Sequence, residues 1–248
     1  MVIKNSSLGI MAKLRSFFFV GWILISTPVY GLLCICLSLF FPDLARKIGR
    51  LWNVHLLAMG GVKIVVRGAE KLDKNKRYVF IANHQSALDI PVVYATIKHG
   101  ISFIAKKELF YIPIFGWGMA AVGHVWIDRS NARKARNSII RAVKHLRKSR
   151  VSLVLFPEGT RSADGIIGDF KTASFTLALQ AGVQAVPVVL HDTRSCLPKS
   201  TIMLRPGVIH IDICDPLDVN EAEISKVELS NKIRNIICEV ATAGPQSN

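Results

Sequence analysis

The sequence predicts an α/β protein, a mostly parallel or mixed sheet with flanking helices, preceded by an N-terminal membrane-associated helical element. Three observations lead there: an uncharged apolar run from Phe17 to Phe41, a series of short β-rich runs after Val62, and helical stretches between those runs. A chain of 248 residues can bury a sizeable core. Its pattern divides into N-terminal membrane-docking helices, residues 1–60, and an α/β domain, residues 61–248.

The first element is "FFFVGWILISTPVYGLLCICLSLFF", Phe17 to Phe41. As a helix it would be about 37 Å long at ~1.5 Å per residue, enough for a hydrocarbon core of ~30 Å. Pro28 and Gly31 fall near its middle. Both flanks are basic, with Lys4, Lys13 and Arg15 before and Arg46, Lys47 and Arg50 after. A single span wants that charge on one side. Two topologies therefore stay open: a true span, or a hairpin broken near Pro28 that enters one leaflet and leaves both flanks on one face. A cleaved signal peptide is disfavoured by the length of the run.

The second element, Leu44 to Met59, places Leu44, Ile48, Leu51, Trp52, His55 and Met59 on one helical face, expected to turn toward the core with His55 as a structural histidine. From Val62 onward "VKIVV", "YVFIAN", "ISFIA", "HVWID", "VSLVLF", "QAVPVVL", "TIMLRPG" and "VIHIDIC" read as strands. Between them Ala132 to Lys148 reads as a helix with Ile139, Ile140, Val143 and Leu146 facing one way and its Lys and Arg the other.

Composition narrows the partners. Half of the residues are hydrophobic, and 32 Lys and Arg against 17 Asp and Glu leave a formal charge of +15. Apolar and basic together point to membrane lipids, because anionic headgroups attract cations near the bilayer and a nucleic-acid binder has little use for so much apolar surface. The five cysteines include no C-x-x-C pair, which argues against a disulfide framework or a zinc site and fits a reducing compartment.

The chemistry concentrates at strand ends. "FIANHQSALDIP" ends a strand, turns, and starts a helix, with His84 in the turn and Asp89 in the first helical turn. The chain can fold back to bond carboxylate to imidazole, fixing one tautomer and leaving the other ring nitrogen as a base. Alternatively Asn83 caps the turn and Asp89 the helix, with His84 merely exposed. "LVLFPEGTRSADG" repeats the arrangement with Glu158, Gly159, Thr160 and Arg161 in a turn after another strand. Arg161 offers a planar fork for phosphate and Lys106, after a third strand, a point charge. The plainer alternatives are an Arg161 ion pair with Glu158 or Asp164, and a solvated Lys106.

These blocks resemble the glycerolipid acyltransferases, most closely the 1-acyl-sn-glycerol-3-phosphate acyltransferases of bacteria. "NHQSALD", "KKELFYIPIFGWGMAAVGHVWIDR", "FPEGTRS" and "VPVVL" follow the family's four blocks in order, over roughly Tyr78 to Leu190. The resemblance implies transfer of a fatty acyl group from acyl-carrier protein or coenzyme A to the 2-hydroxyl of lysophosphatidic acid, at the cytoplasmic face of an inner membrane. It implies His84 and Asp89 as catalytic residues and Lys106, Glu158, Gly159, Thr160 and Arg161 as substrate-binding ones, with Glu158 orienting Arg161 or the glycerol. Neither a metal nor a cofactor beyond the acyl donor is implied. Without a G-x-S-x-G elbow, direct transfer is favoured over an acyl-enzyme. Two other readings share the scaffold: an acyltransferase for another lysolipid or a lipid-linked amine, and a membrane-docking scaffold without activity.

Overall fold

The computed structural model describes residues 6–128, 132–149, 151–199, 201–219 and 224–245, and the same residues' side chains except at 6–9, 11, 132, 135, 136 and 146. In chain order the elements are α1 (Ser6–Ser38), α2 (Pro42–Met59), β1 (Val62–Arg67), β2 (Val79–Ala82), α3 (Asp89–Thr96), β3 (Ile101–Lys106), α4 (Phe115–Ala121), β4 (Val125–Ile127), α5 (Ala132–Lys148), β5 (Ser152–Leu155), α6 (Ala173–Ala181), β6 (Ala185–His191), α7 (Thr193–Cys196), β7 (Gly207–Ile213) and α8 (Lys226–Ala243).

Among the described residues the seven strands form one sheet in the order β1-β7-β6-β2-β5-β3-β4. Every pairing is parallel except β6 with β7, so the sheet is mixed. The central strands are apolar on both sides: β2, β5 and β6 are buried at every residue, as expected of strands covered by helices on each face. One core, containing Phe80, Val186, Val188 and Ile211, lies under α2 and α3; the other, containing Ile81, Leu153, Phe175 and Ile233, lies under α5, α6 and α8.

The expected strand "TIMLRPG" is instead irregular chain from Thr201 to Pro206. Leu204 is fully buried and its N–H donates to Ser16 Oγ at 2.9 Å, so this backbone is spent on α1 rather than on a ladder. In α5, Ala142 and Val143 are buried, but Ile140 is exposed, and Leu146 lies outside the described side chains.

The break near Pro28 that one of the two open topologies required is absent, since α1 runs unbroken through it. Proline deletes one i to i−4 bond, but the helix is held on both sides of it: Trp52 Nε1 donates to Ser26 Oγ at 3.0 Å, and Tyr30 Oη lies 2.6 Å from His55 Nδ1. Gly31 marks a close helix crossing. A Cβ on Gly118 of α4 would stand 3.2 Å from the Gly31 Cα. The turn of the N-terminal hairpin falls at residues 39–41, between α1 and α2.

One stripe of α1, Ser16, Phe19, Ile23, Ser26, Tyr30 and Cys34, faces the protein, and Phe19 joins the core that holds Phe80 and Val188. The opposite face leaves Phe17, Phe18, Leu24, Ile25 and Val29 more than half exposed. The face predicted for α2 splits in the same way. Ile48 and Trp52 pack inward beside buried Ala45, Asn53, Leu56 and Leu57, whereas Leu44, Leu51 and Met59 are exposed.

Candidate active site

The topology sets β2, β5 and β3 side by side, so the turns leaving their carboxyl ends meet. His84 follows β2. Its Nδ1 lies 2.7 Å from Oδ2 of Asp89, whose side chain is wholly buried at the start of α3. The same oxygen accepts the N–H groups of Gln85 at 2.7 Å and Ser86 at 2.8 Å. Asp89 therefore orients the imidazole and closes the turn, but it does not cap α3, whose N-terminus receives no side-chain cap. A carboxylate on Nδ1 fixes that nitrogen as N–H and leaves Nε2 with a lone pair. The His84 side chain is 16% exposed, so that lone pair can be reached.

Asn83 does not cap the turn. Its side-chain amide pairs with both backbone groups of Leu190 on β6, donating at 3.0 Å and accepting at 2.8 Å. Ser86 Oγ donates to the Leu197 carbonyl at 2.7 Å. The His84 ring stacks on Phe156 with centroids 4.3 Å apart, Phe156 on Phe103, and Phe103 on Tyr94. This aromatic column runs from the imidazole to a cavity between α1, α2, α3 and α4, whose lining includes Thr27, Cys34, Trp52, Tyr94, Met119 and His124.

Glu158 is placed differently from either expectation. It is buried, Oε1 accepts the His84 N–H at 2.7 Å and Oε2 accepts the Gly168 N–H at 3.1 Å. Burial pushes its carboxyl above the ordinary value, and the two backbone hydrogen bonds offset part of that rise. The Ser162 N–H donates to the His84 carbonyl at 2.8 Å, so the two motif turns are joined at His84 from both sides. Gly159 sits at φ +73°, a left-handed conformation that glycine adopts without cost.

With both Glu158 oxygens occupied and Asp164 Oδ1 accepting from Ser162 Oγ and the Ile166 N–H, Arg161 has no carboxylate partner among the described residues. Lys106 is likewise without one and is exposed, whereas Lys107 pairs with Asp128 at 2.8 Å. Thr160 is exposed beside Arg161. Sequence reasoning missed Lys199, whose Nζ donates to the Arg161 carbonyl at 2.6 Å and lies 3.4 Å from Thr160 Oγ1. No motif marks Lys199; only folding of the loop after α7 onto the Thr160–Arg161 turn shows it. Phe156 was visible within "LFPEGT", but its contact with His84 depends on the β2–β5 register.

The site thus combines a buried carboxylate behind an accessible imidazole with cations at the sheet's carboxyl end that have no carboxylate partner among the described residues, beside an apolar helical surface. Comparison with known proteins gives the chain its family. The family model described as Acyltransferase matches residues 63–191. A 1-acyl-sn-glycerol-3-phosphate acyltransferase of Limnanthes alba is 32% identical over 211 residues, 83% of this chain and 74% of that protein. The Escherichia coli enzyme of the same name is 31% identical over 221 residues, 86% and 89% of the two chains. The crystal structure of the 1-acyl-sn-glycerophosphate acyltransferase PlsC from Thermotoga maritima superposes with a TM-score of 0.84 at 26% identity, covering 97% of this chain and 99% of that one. The chain belongs to the acyltransferase family.

Proposed function

We propose that this enzyme transfers a fatty acyl group from a thioester to the 2-hydroxyl of lysophosphatidic acid, producing phosphatidic acid. The observation that carries the reading is the wholly buried Asp89 on Nδ1 of an accessible His84, beside an Arg161 that has no carboxylate partner among the described residues. An alcohol is a poor nucleophile at neutral pH. Nε2 takes the hydroxyl proton as the oxygen attacks the thioester carbonyl, and Asp89 stabilises the imidazolium that forms. The C–O bond forms, the C–S bond breaks, and the imidazolium returns the proton to the departing thiolate. Direct transfer needs neither a metal nor an enzyme-bound acyl group.

Arg161, with Lys199 bonded to its carbonyl and Lys106 at the end of the neighbouring strand β3, supplies cations for the acceptor's phosphate, a role that a neutral lysolipid would leave idle. The donor is acyl-coenzyme A or acyl-carrier protein. In this reading the apolar face of α1 enters one leaflet while its other face stays on the domain, and the basic flanks Arg15 and Arg46, together with the use of a cytoplasmic acyl donor, favour the cytoplasmic leaflet of the inner membrane.

The test is an assay of purified enzyme with labelled acyl-coenzyme A or acyl-carrier protein against lysophosphatidic acid, lysophosphatidylcholine, lysophosphatidylethanolamine and monoacylglycerol. Phosphatidic acid as the dominant product supports the reading. Equal or better use of a neutral acceptor refutes it.

A further inference from the structure

The two ends of the sheet differ in what they expose. At the carboxyl ends of β3, β5 and β6, where the site opens, the connecting segments present Tyr111, Trp117, Ile166 and Ile202 at 71%, 56%, 71% and 73% exposure. At the opposite end, residues 68–78, 97–100 and 182–184 expose no large hydrophobic side chain; their exposed positions are Ala69, glycines and polar residues such as Lys74 and Lys98. Folding does not require this asymmetry, since both sets of loops cap the same cores. Large apolar side chains gathered around one opening mark a contact surface rather than scattered exposure.

The occupant can be read from the surroundings. Arg161 and Lys199 stand at the opening, Arg194 lies against Gly165 beside Ile166, and Arg205 is three residues from Ile202; these four cations outnumber the exposed Asp164 and Asp169 on either side of Ile166, giving apolar tips in a collar that is cationic on balance. That pairing suits an anionic bilayer, in which apolar side chains enter the acyl boundary and cations stay with the headgroups. The rim is also continuous with the apolar face of α1. The loop bearing Ile202 is fixed at one end by Lys199 to the Arg161 carbonyl and at the other by the Leu204 N–H to Ser16 of α1, next to exposed Phe17.

We propose that Tyr111, Trp117, Ile166 and Ile202 form a second lipid-contact surface, separate from α1, which seats the mouth of the His84 site on an anionic membrane. Resting on the function proposed above, this makes the rim the part of the enzyme that holds the opening of the site against the headgroups. α1 supplies attachment, and the rim supplies orientation.

Two measurements on the full chain test it. In the first, tryptophan is placed at the rim (Ile202→Trp) and, as a control, at the opposite end of the sheet (Lys74→Trp), and each variant is bound to phosphatidylglycerol-rich vesicles containing brominated lipid. Bromine quenching of Ile202→Trp beyond that of the parent's four tryptophans, with none added by Lys74→Trp, is expected. Absence of added quenching at position 202 overturns the proposal whether or not the protein acylates anything.

The second compares the parent with Ile166→Glu/Ile202→Glu, using long-chain lysophosphatidic acid in those vesicles and a short-chain, monomerically dissolved analogue. The double variant should lose about tenfold or more on the vesicle acceptor, from lost apolar insertion and added repulsion, and stay within twofold on the dissolved one. Equal losses on both would assign these residues to the site or the fold. A loss on both acceptors confined to a carrier-protein donor would assign the rim to that acidic protein. Either result overturns the proposal. A parent inactive toward both acceptors would defeat the functional reading alone, leaving the rim to be decided by quenching.

Discussion

Replacing Glu158 with glutamine separates the structural role of this residue from the one its sequence context suggests. Each carboxylate oxygen accepts one backbone N–H, from His84 at 2.7 Å and from Gly168 at 3.1 Å. Glutamine keeps one carbonyl oxygen and presents an NH2 group where the second acceptor was, so one buried N–H faces another donor. Losing one hydrogen bond to a charged group costs about 1.5–3 kcal/mol, and relief from burying a charge returns part of it. A net loss of about 1–2 kcal/mol corresponds to roughly 2–8 °C in Tm for a chain of this size. Because Glu158 ties the His84 backbone to Gly168, disturbing either bond loosens the imidazole, and kcat should fall about tenfold while the acceptor KM stays within twofold.

The pH dependence supplies a second readout. Burial raises the Glu158 carboxyl above its ordinary 4.5 in the folded protein. A carboxyl raised on folding binds its proton more tightly in the folded state, so its contribution to stability is largest below pH 4.5 and declines as pH rises through the folded value. Glutamine does not titrate, and the variant should lack that decline. Thermal melts from pH 4 to 8 and steady-state kinetics with both substrates check these outcomes. A raised acceptor KM with unchanged kcat and Tm would show that Glu158 serves the acceptor or Arg161 and would refute the backbone-clamp reasoning.

Four further variants have expected outcomes. His84→Ala should lower kcat by about 10²–10⁴ with near-unchanged acceptor binding, and Asp89→Asn should lose less because an amide can still orient the ring; single-turnover rates and equilibrium binding measure both, and near-parental turnover of His84→Ala would remove the base assignment. Arg161→Lys keeps the charge but loses the planar fork, so the acceptor KM should rise about tenfold while the donor KM stays within twofold; a lower Tm with both constants unchanged would mark Arg161 as purely structural. Gly118→Leu drives a side chain into the place where α1 crosses at Gly31, an overpacking of about 1–3 kcal/mol, and should lower Tm by several degrees and expose α1 to protease; an unchanged melt and digestion pattern would deny the close crossing.

The site was legible in the sequence wherever its contacts are local. His84 and Asp89 are five residues apart in a strand–turn–helix, so their contact follows from local backbone geometry whatever the rest of the chain does. The partner of Glu158 is 74 residues away in sequence, and an ion pair with Arg161 three residues on was the nearer guess. Lys199 was illegible for the same reason: its loop follows β6, and nothing in its neighbourhood shows that it returns to Arg161. The reason for Gly31 in the middle of the apolar run, Gly118 across the α1–α4 crossing, lies far along the chain and is invisible locally.

The sequence by itself determined the alternation of strands and helices, the apolar N-terminal element, the cationic balance and the placement of reactive groups just beyond strand ends. These follow from hydrophobic periodicity and turn chemistry, which act over a few residues. Only the tertiary structure decided the strand order that sets β2, β5 and β3 side by side, the reversal at β7, the side of α1 that lies on the domain, and the freedom of Arg161 from carboxylates among the described residues. Those outcomes depend on which apolar faces cover one another and which polar groups are already satisfied when they meet. Pairings between distant segments are settled by burial and hydrogen-bond completion across the whole core, and no short window of sequence contains both partners.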